Sequence, residues 1–440
     1  MSFPVSISRR GFLGAGAAAT AGASLSFAQS EPPQARLMPQ AIAALTDLSS
    51  QARPFTNAER QSRIERARAL MAENKIDAIL VPAGTTNLYY FAGLKIWGGE
   101  RMMALVLPAK GTPFFISPAF EAERLHEAVA SGPFASGADV LTWQEDESPY
   151  ELVAAGLKSL GITTGTLGVD EEAHFFFADG LRRANPQLTV VNAVPVTAGC
   201  RMVKEPHEIE CMRLACRATL LVYRAVALSL HPGMTNGDVE KLVSLAYQRV
   251  GFRGDASLNI DEFTAVPHGS TKPQTLREGS ILMLDDGCTV EGYNSDITRT
   301  FVLGKPTAKQ IAVFDLVKNA QTAALHAARP GIAAAEVDAA ARKIIADGGY
   351  GPGFKYFTHR VGHGIGLDGH EWPYFVKNDM YGWERAPLLK AGMTLSDEPG
   401  VYIKGEFGIR IEDELLVTDN GAELLTPQCP SLEDPFGNIG

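Results

Sequence analysis

Cysteine is scarce in this chain. There are five in 440 residues, at positions 200, 211, 216, 288 and 429, with no Cys-x-x-Cys pair. That odd, scattered set excludes a disulfide framework and a thiolate zinc site. Cys211 and Cys216 fall in a helical stretch and read as small buried apolar residues. Positive charge is also short. Lys and Arg total 40 against 50 Asp and Glu, a net charge of -10. An acidic surface repels phosphate backbones and anionic bilayers, so nucleic acid and lipid surfaces are not expected partners. The apolar stretch from Gly11 to Ser26 is too short and too rich in Ala and Gly for stable membrane insertion. With 45% apolar and 20% charged residues, wholesale disorder and fibrous repeats are excluded as well. The length allows two or three domains.

The N-terminus reads as an address. Ser8-Arg9-Arg10-Gly11-Phe12-Leu13 precedes the Ala/Gly run, and Ser26-Phe27-Ala28 offers small residues to a signal peptidase. This order describes a twin-arginine signal over 1–28, cleaved after Ala28. The expectation is recognition by the twin-arginine export machinery and a periplasmic or secreted protein. Residues 29–55, rich in Gln, Pro and Ala, read as a flexible linker.

Two folded parts follow. From 56 to 195, helical periodicity over 59–74 precedes a buried strand at 76–81, short strands at 103–107 and 114–116, and helices near 119–131, 148–160 and 172–185. The alternation predicts a small α/β domain. From 196 to 440, Pro206 opens a helix, a second spans 235–250, strands and hairpins occupy 256–304, helices span 307–328 and 333–346, and a strand-rich block covers 354–420. This predicts two α/β halves packed as one unit.

The chemistry-bearing residues crowd into the second part. Asp285 ends an apolar run, and Asp296 lies eleven residues on, across a hairpin expected at Glu291-Gly292. Two carboxylates folded together repel unless a cation lies between them. Of nine histidines, four are His268, His359, His363 and His370, the last three within a Gly-rich stretch of twelve residues. Glycine allows close approach, and neutral imidazole is a common metal ligand. Glu398 precedes a Pro-Gly turn. Arg410 and Glu412 alternate on a strand and so share a face. Asp, Asp, His, Glu and Glu without a thiolate form a hard donor set suited to Mn, Fe, Co or Zn. Such a set holds two divalent cations about 3.5–4 Å apart.

Asp285, Asp296, His363, Glu398 and Glu412 stand in the ligand order of the "pita-bread" metallopeptidases, which include methionine aminopeptidase, aminopeptidase P and prolidase. The strings Ser-Asp-Ile-Thr-Arg-Thr, Gly-His-Gly-Ile-Gly-Leu, Glu-Pro-Gly-Val-Tyr and Gly-Ile-Arg-Ile-Glu-Asp carry the resemblance. The first folded part resembles the N-terminal domain of prolidase and creatinase, which points to the Xaa-Pro peptidase branch. The implied fold class is α+β: a C-terminal pita-bread domain behind a smaller creatinase-like α/β domain.

The resemblance also implies roles. Asp285 is a terminal ligand and Asp296 a bridging one. His363 and Glu398 bind the other metal, with Glu412 bridging, and Glu398 takes a proton from a bridging hydroxide's parent water. His268, His359 and His370 contact substrate or stabilise its tetrahedral form, and Arg410 holds the acids in place. A homodimer is implied too. Asp286 departs from the pattern; on a continuing strand it points away from Asp285. Residues that make prolidase demand a free C-terminal carboxylate are not evident, which leaves dipeptidase and aminopeptidase both open. The expected activity is hydrolysis of Xaa-Pro bonds, tertiary amides that resist most peptidases. The alternatives are a small-molecule C–N hydrolase or dimethylsulfoniopropionate lyase on the same scaffold, and a binding protein that reuses it.

Overall fold

The computed structural model describes residues 38–377 and 387–439. The expected signal at 1–28, and the first part of the expected linker, lie outside them. Pro39 to Gly440 forms one unit.

The linker expectation fails over residues 38–55. Here a short helix α1 (Gln40–Ala43) and a single 3-10 turn (Ser49–Gln51) carry Ile42, Leu48 and Phe55 into an apolar core of the second folded part, far along the chain. Three large apolar side chains over so short a stretch are anchors, not a solvated tether.

In the first folded part, Thr56 and Glu59 form a reciprocal capping box that starts α2 (Asn57–Asn74), and Lys75 ends it in the left-handed conformation. Six strands follow with their helices: β1 (Ala78–Pro82), α3 (Thr86–Ala92), β2 (Ala104–Pro108), β3 (Phe114–Pro118), α4 (Ala122–Ser131), β4 (Asp139–Trp143), α5 (Pro149–Ser159), β5 (Gly165–Val169), α6 (Phe175–Ala184) and β6 (Leu188–Asn192). They form one mixed sheet ordered β4-β3-β2-β1-β5-β6. All five residues of β1, β2 and β3 are buried, as expected of strands covered on both faces. Helix α7 (Val194–Arg201) crosses the expected boundary at 195 and packs on α2.

The second part repeats one plan twice. First come α8 (Pro206–Ala227), α9 (Asn236–Val250), β7 (Arg253–Gly254), β8 (Ser257–Ile260), β9 (Ile281–Asp285), β10 (Cys288–Val290), β11 (Tyr293–Asn294) and β12 (Arg299–Val302). Then come α10 (Ala308–Ala327), α11 (Ala334–Ile345), β13 (His363–Gly364), β14 (Glu371–Tyr374), β15 (Thr394–Asp397), β16 (Gly400–Ile403), β17 (Phe407–Arg410), β18 (Asp413–Thr418) and β19 (Gly421–Leu424). Each half has its own apolar core beneath its helix pair. The five cysteines are all buried and unpaired. No helix of the described residues is long and apolar enough to cross a membrane.

The hairpin between the two aspartates forms as expected. Glu291 (φ 50°) and Gly292 (φ 91°) make its turn, and β9 pairs with β12 antiparallel, Leu284 opposite Arg299. This fold-back brings Asp285 and Asp296 together.

Candidate metal centre

The strand ends of both halves converge on one cavity of about 490 Å³. Asp285, Asp296, His363, Glu398 and Glu412 all line it, with His268, His359, His370 and Arg410. Every site residue read from the sequence therefore reaches the same place. Asp285, Asp296 and Glu412 offer oxygens within 4.8 Å of one another; His363, Glu398 and Glu412 do the same, so Glu412 belongs to both groups.

The imidazole of His363 is oriented for ligation. Its Nδ1 donates to the Gly364 carbonyl at 3.1 Å, which leaves the Nε2 lone pair facing Glu398 Oε1 at 3.4 Å and Asp296 Oδ2 at 3.8 Å. Burial, with His370 alongside, lowers its pKa to about 3 and keeps it neutral. His370 stacks on it with ring centroids 3.6 Å apart and joins Asp296 and His363 in a third candidate ligand group. Arg360 Nη2 donates to His370 Nδ1 at 3.2 Å. The proton of a neutral His370 is then on Nε2, as an oxyanion donor requires.

The acids are crowded. Burial and mutual repulsion push Asp296 and Glu412 well above the ordinary carboxylate range. Burial, with Asp285 adding, lifts Glu398 to about 7 against the pull of Arg410. Asp285 alone is held low: burial opposes its charge, but Arg410 and Thr298 outweigh it. Arg410 Nη2 donates to Asp285 Oδ2, its Nε to Thr298 Oγ1 at 3.0 Å, and its Nη1 to the Pro267 carbonyl at 3.1 Å beside His268. Arg360 and Arg410 are the two guanidinium groups of the cavity lining, and two cations cannot neutralise its five carboxylates. The oxygen-rich set, the shared Glu412 and the neutral imidazole fit divalent cations.

Two expectations change in detail. His359 lines the cavity, but both ring nitrogens are engaged: Nδ1 donates to the Arg360 carbonyl at 2.8 Å and Nε2 accepts from Tyr402 Oη at 2.7 Å. Tyr402 Oη in turn accepts from Arg410 Nη1 at 2.9 Å. His359 thus braces Arg410 through Tyr402. Asp286 does not point away. β9 stops at Asp285, and Asp286 turns with φ 97° into the cavity wall.

Sequence reasoning assigned no role to Thr298, Tyr402 or Arg360. Thr298 Oγ1 lies 2.6 Å from Glu412 Oε2 and also contacts Asp285 Oδ1. Its spacing of two from Asp296, just before the β12 strand, was the available signal. Tyr402 stood inside the Glu-Pro-Gly-Val-Tyr string.

Comparison with known proteins agrees with this architecture. Residues 210–419 match the model for metallopeptidase family M24, and residues 63–203 that for the creatinase/prolidase N-terminal domain. The chain is 36% identical over 376 residues to a probable dipeptidase PepE of Mycobacterium tuberculosis, covering 84% of this chain and 94% of that one. It is 31% identical to an Xaa-Pro dipeptidase of Pyrococcus furiosus, covering 83% and 98%. The crystal structure of dipeptidase PepE from Mycobacterium ulcerans superposes with a TM-score of 0.77 at 34% identity, covering 87% and 99%. The likeness runs along nearly whole chains, through the creatinase-like domain and the two α/β halves behind it: this protein belongs to metallopeptidase family M24.

Proposed function

We propose that the protein is a dinuclear Xaa-Pro dipeptidase. The observation that supports this most is the pair of three-ligand groups sharing Glu412, with Glu398 in one of them. Two divalent cations held there supply an activated water and a Lewis-acid clamp on a carbonyl. Asp285, Asp296, His363, Glu398 and Glu412 are the residues to hold them. Glu398 stands in one of those groups beside His363 and is placed to take and return the proton of the activated water. His370, protonated on Nε2, donates to the oxygen that becomes negative, and His268 lines the same cavity. Arg410 fixes Asp285 and the Pro267 carbonyl, and so spaces the acid wall from the histidine wall. The cavity volume falls in the range of small-ligand sites. That, together with the names of the relatives above, favours dipeptides over longer chains.

The signal-like residues before Gln29 support export to the periplasm or medium, and a homodimer is part of the same reading. Neither enters the chemistry.

The test is proline release from Gly-Pro and Ala-Pro by protein loaded with Mn, Co or Zn, beside an Xaa-Pro-Yaa tripeptide. Dipeptide cleavage that Glu398→Ala abolishes supports the reading. Cleavage of the tripeptide alone replaces it with an aminopeptidase. Cleavage of neither removes the Xaa-Pro assignment.

A further inference from the structure

We propose that Arg201 is a positioning residue for His370. From the creatinase-like domain it grips both sides of the turn that carries this histidine, and so holds one wall of the catalytic cavity in place. The role of His370 as a donor to the developing oxyanion is taken from the Xaa-Pro dipeptidase reading above, on which the proposal rests.

His370 sits at the exposed apex of the turn between β13 and β14, beside the equally exposed Gly369. Its ring stacks on His363 and accepts from Arg360. The chain before the apex is held by its own domain: Asn294 Nδ2 donates to the Gly366 and Leu367 carbonyls at 2.9 Å. From Asp368 onward the side-chain partners belong to, or directly follow, the first folded part. Asp368 accepts from Thr86 Oγ1 at 2.6 Å and from Arg201 Nη2. Glu371, directly after His370, accepts from the same Arg201 nitrogen and from Lys204 Nζ at 2.5 Å. One guanidinium at the end of α7 thus ties together the two acids that flank Gly369-His370.

The grip is itself held. Arg201 is buried, and its Nη1 donates to Oδ1 of Asn87, which is buried in turn and donates to Asp170 Oδ2 at 3.1 Å. Burial opposes the charge on Glu371, but Arg201 and Lys204 outweigh it and keep its carboxyl below the ordinary range. Gly366 leaves the room this needs: a Cβ there would come within 2.5 Å of Glu371 Oε1 and 2.8 Å of Lys204 Cε. Behind the turn lies a second cavity of about 130 Å³, whose lining includes Glu171, Glu172, Arg201, Asp368, His370 and Glu371. His370 lines this cavity and the catalytic one. Asp368 and His370 therefore face open space on that side, and the ion pairs hold the turn across it. Without Arg201 the histidine is free to shift into the second cavity, and a displacement of about 1 Å in a catalytic group costs about a hundred-fold in rate.

The experiment is a double-mutant cycle on the Mn²⁺-loaded enzyme with Ala-Pro as substrate. Wild type, Arg201→Met, His370→Ala and the double variant are compared by kcat, KM and bound metal. Arg201→Met is expected to lower kcat about ten- to hundred-fold, with KM and metal content near wild type, because the donor acts on the transition state. In the His370→Ala background the same change is expected to lower kcat by less than about two-fold, since the residue it positions is gone. Arg201→Lys, which keeps a charged arm, recovers part of the loss. Equal losses in both backgrounds overturn the proposal, because a purely structural role costs the same with or without His370. An unchanged kcat in Arg201→Met, or a loss traced to bound metal, overturns it too. If Arg201→Met does not fold, Asp368→Ala takes its place in the cycle. That variant cuts one arm and leaves Arg201 paired with Glu371, and additive losses there are equally fatal. If wild type does not cleave Ala-Pro, the Xaa-Pro reading has failed and the proposal falls with it. An additive cycle in an active enzyme sinks the positioning role alone, so the two failures are distinct.

Discussion

The hydroxyl of Thr298 lies 2.6 Å from Glu412 Oε2, the carboxylate shared by two of the three candidate ligand groups. It also contacts Asp285 and accepts from Arg410 Nε. A hydroxyl in this position orients two ligands without touching a cation. Removing partners of this kind typically weakens metal affinity 10–100-fold, so Thr298→Val is expected to lower affinity by about that factor. Titration of the apo-protein with Mn²⁺ or Co²⁺ checks this. Thr298→Ser, which keeps the hydroxyl, restores most of the loss.

The two folded parts are joined by a buried ion pair. Arg63 on α2 donates to Glu208 Oε1 at 3.2 Å, and Tyr293 Oη also donates to that oxygen. Both charged side chains are 1% exposed. Removing one partner strands a buried charge, so Arg63→Met is expected to cost about 3–5 kcal/mol in denaturant unfolding. Glu208→Gln in the same chain recovers part of it, and the double variant departs from additivity.

Acid sensitivity has a definable contributor at the start of α2. Partial burial opposes the charge on Glu59, but the Thr56 amide and hydroxyl and the His207 imidazole outweigh it and hold the group at about 2. A carboxyl depressed in the folded state contributes stability above its unfolded pKa, near 4.5, and loses it as pH falls towards 2. Glu59→Gln is therefore expected to be less stable than wild type at pH 7 by about 1–2 kcal/mol. The two unfolding curves converge as pH drops from 5 towards 2. A gap that stays constant with pH contradicts this assignment.

Metal removal is expected to lower stability as well as activity. Without cations, Asp296 and Glu412 face other buried carboxylates and are pushed well above their ordinary range. Ligands that bind only the folded state stabilise it by about 2.7 kcal/mol at a hundred times Kd. Dialysis against a chelator should lower Tm, and Mn²⁺ should restore Tm and peptidase activity together.

Much of this site was legible in the sequence because its residues sit in short, fixed local patterns. Asp285 ends an apolar strand, Asp296 follows a two-residue turn, and the glycines around His363 permit close backbone approach. What was missed depends on contacts between distant segments. The φ of 97° at Asp286 has no local signature, because the residue before Gly287 looks like one more strand position. His359 read as a ligand-facing histidine, yet its Nε2 is taken by Tyr402, forty-three residues away. Ile42, Leu48 and Phe55 read as linker because their partners on α8 and α9 lie far along the chain. The strands β4, β5 and β6 were passed over for a related reason. They are only partly buried, with two glycines in β5, and gain their pairing from the neighbouring strands.

The most direct test of the account is the anomalous-scattering map of a crystal of the Mn²⁺-loaded protein. Two peaks per chain, about 3.5–4 Å apart, are predicted. One should be coordinated by Asp285, Asp296 and Glu412, the other by Asp296, His363, Glu398 and Glu412, with both lost in Glu412→Gln. A single peak, or peaks ligated by other residues, would contradict the dinuclear centre on which the proposed chemistry depends.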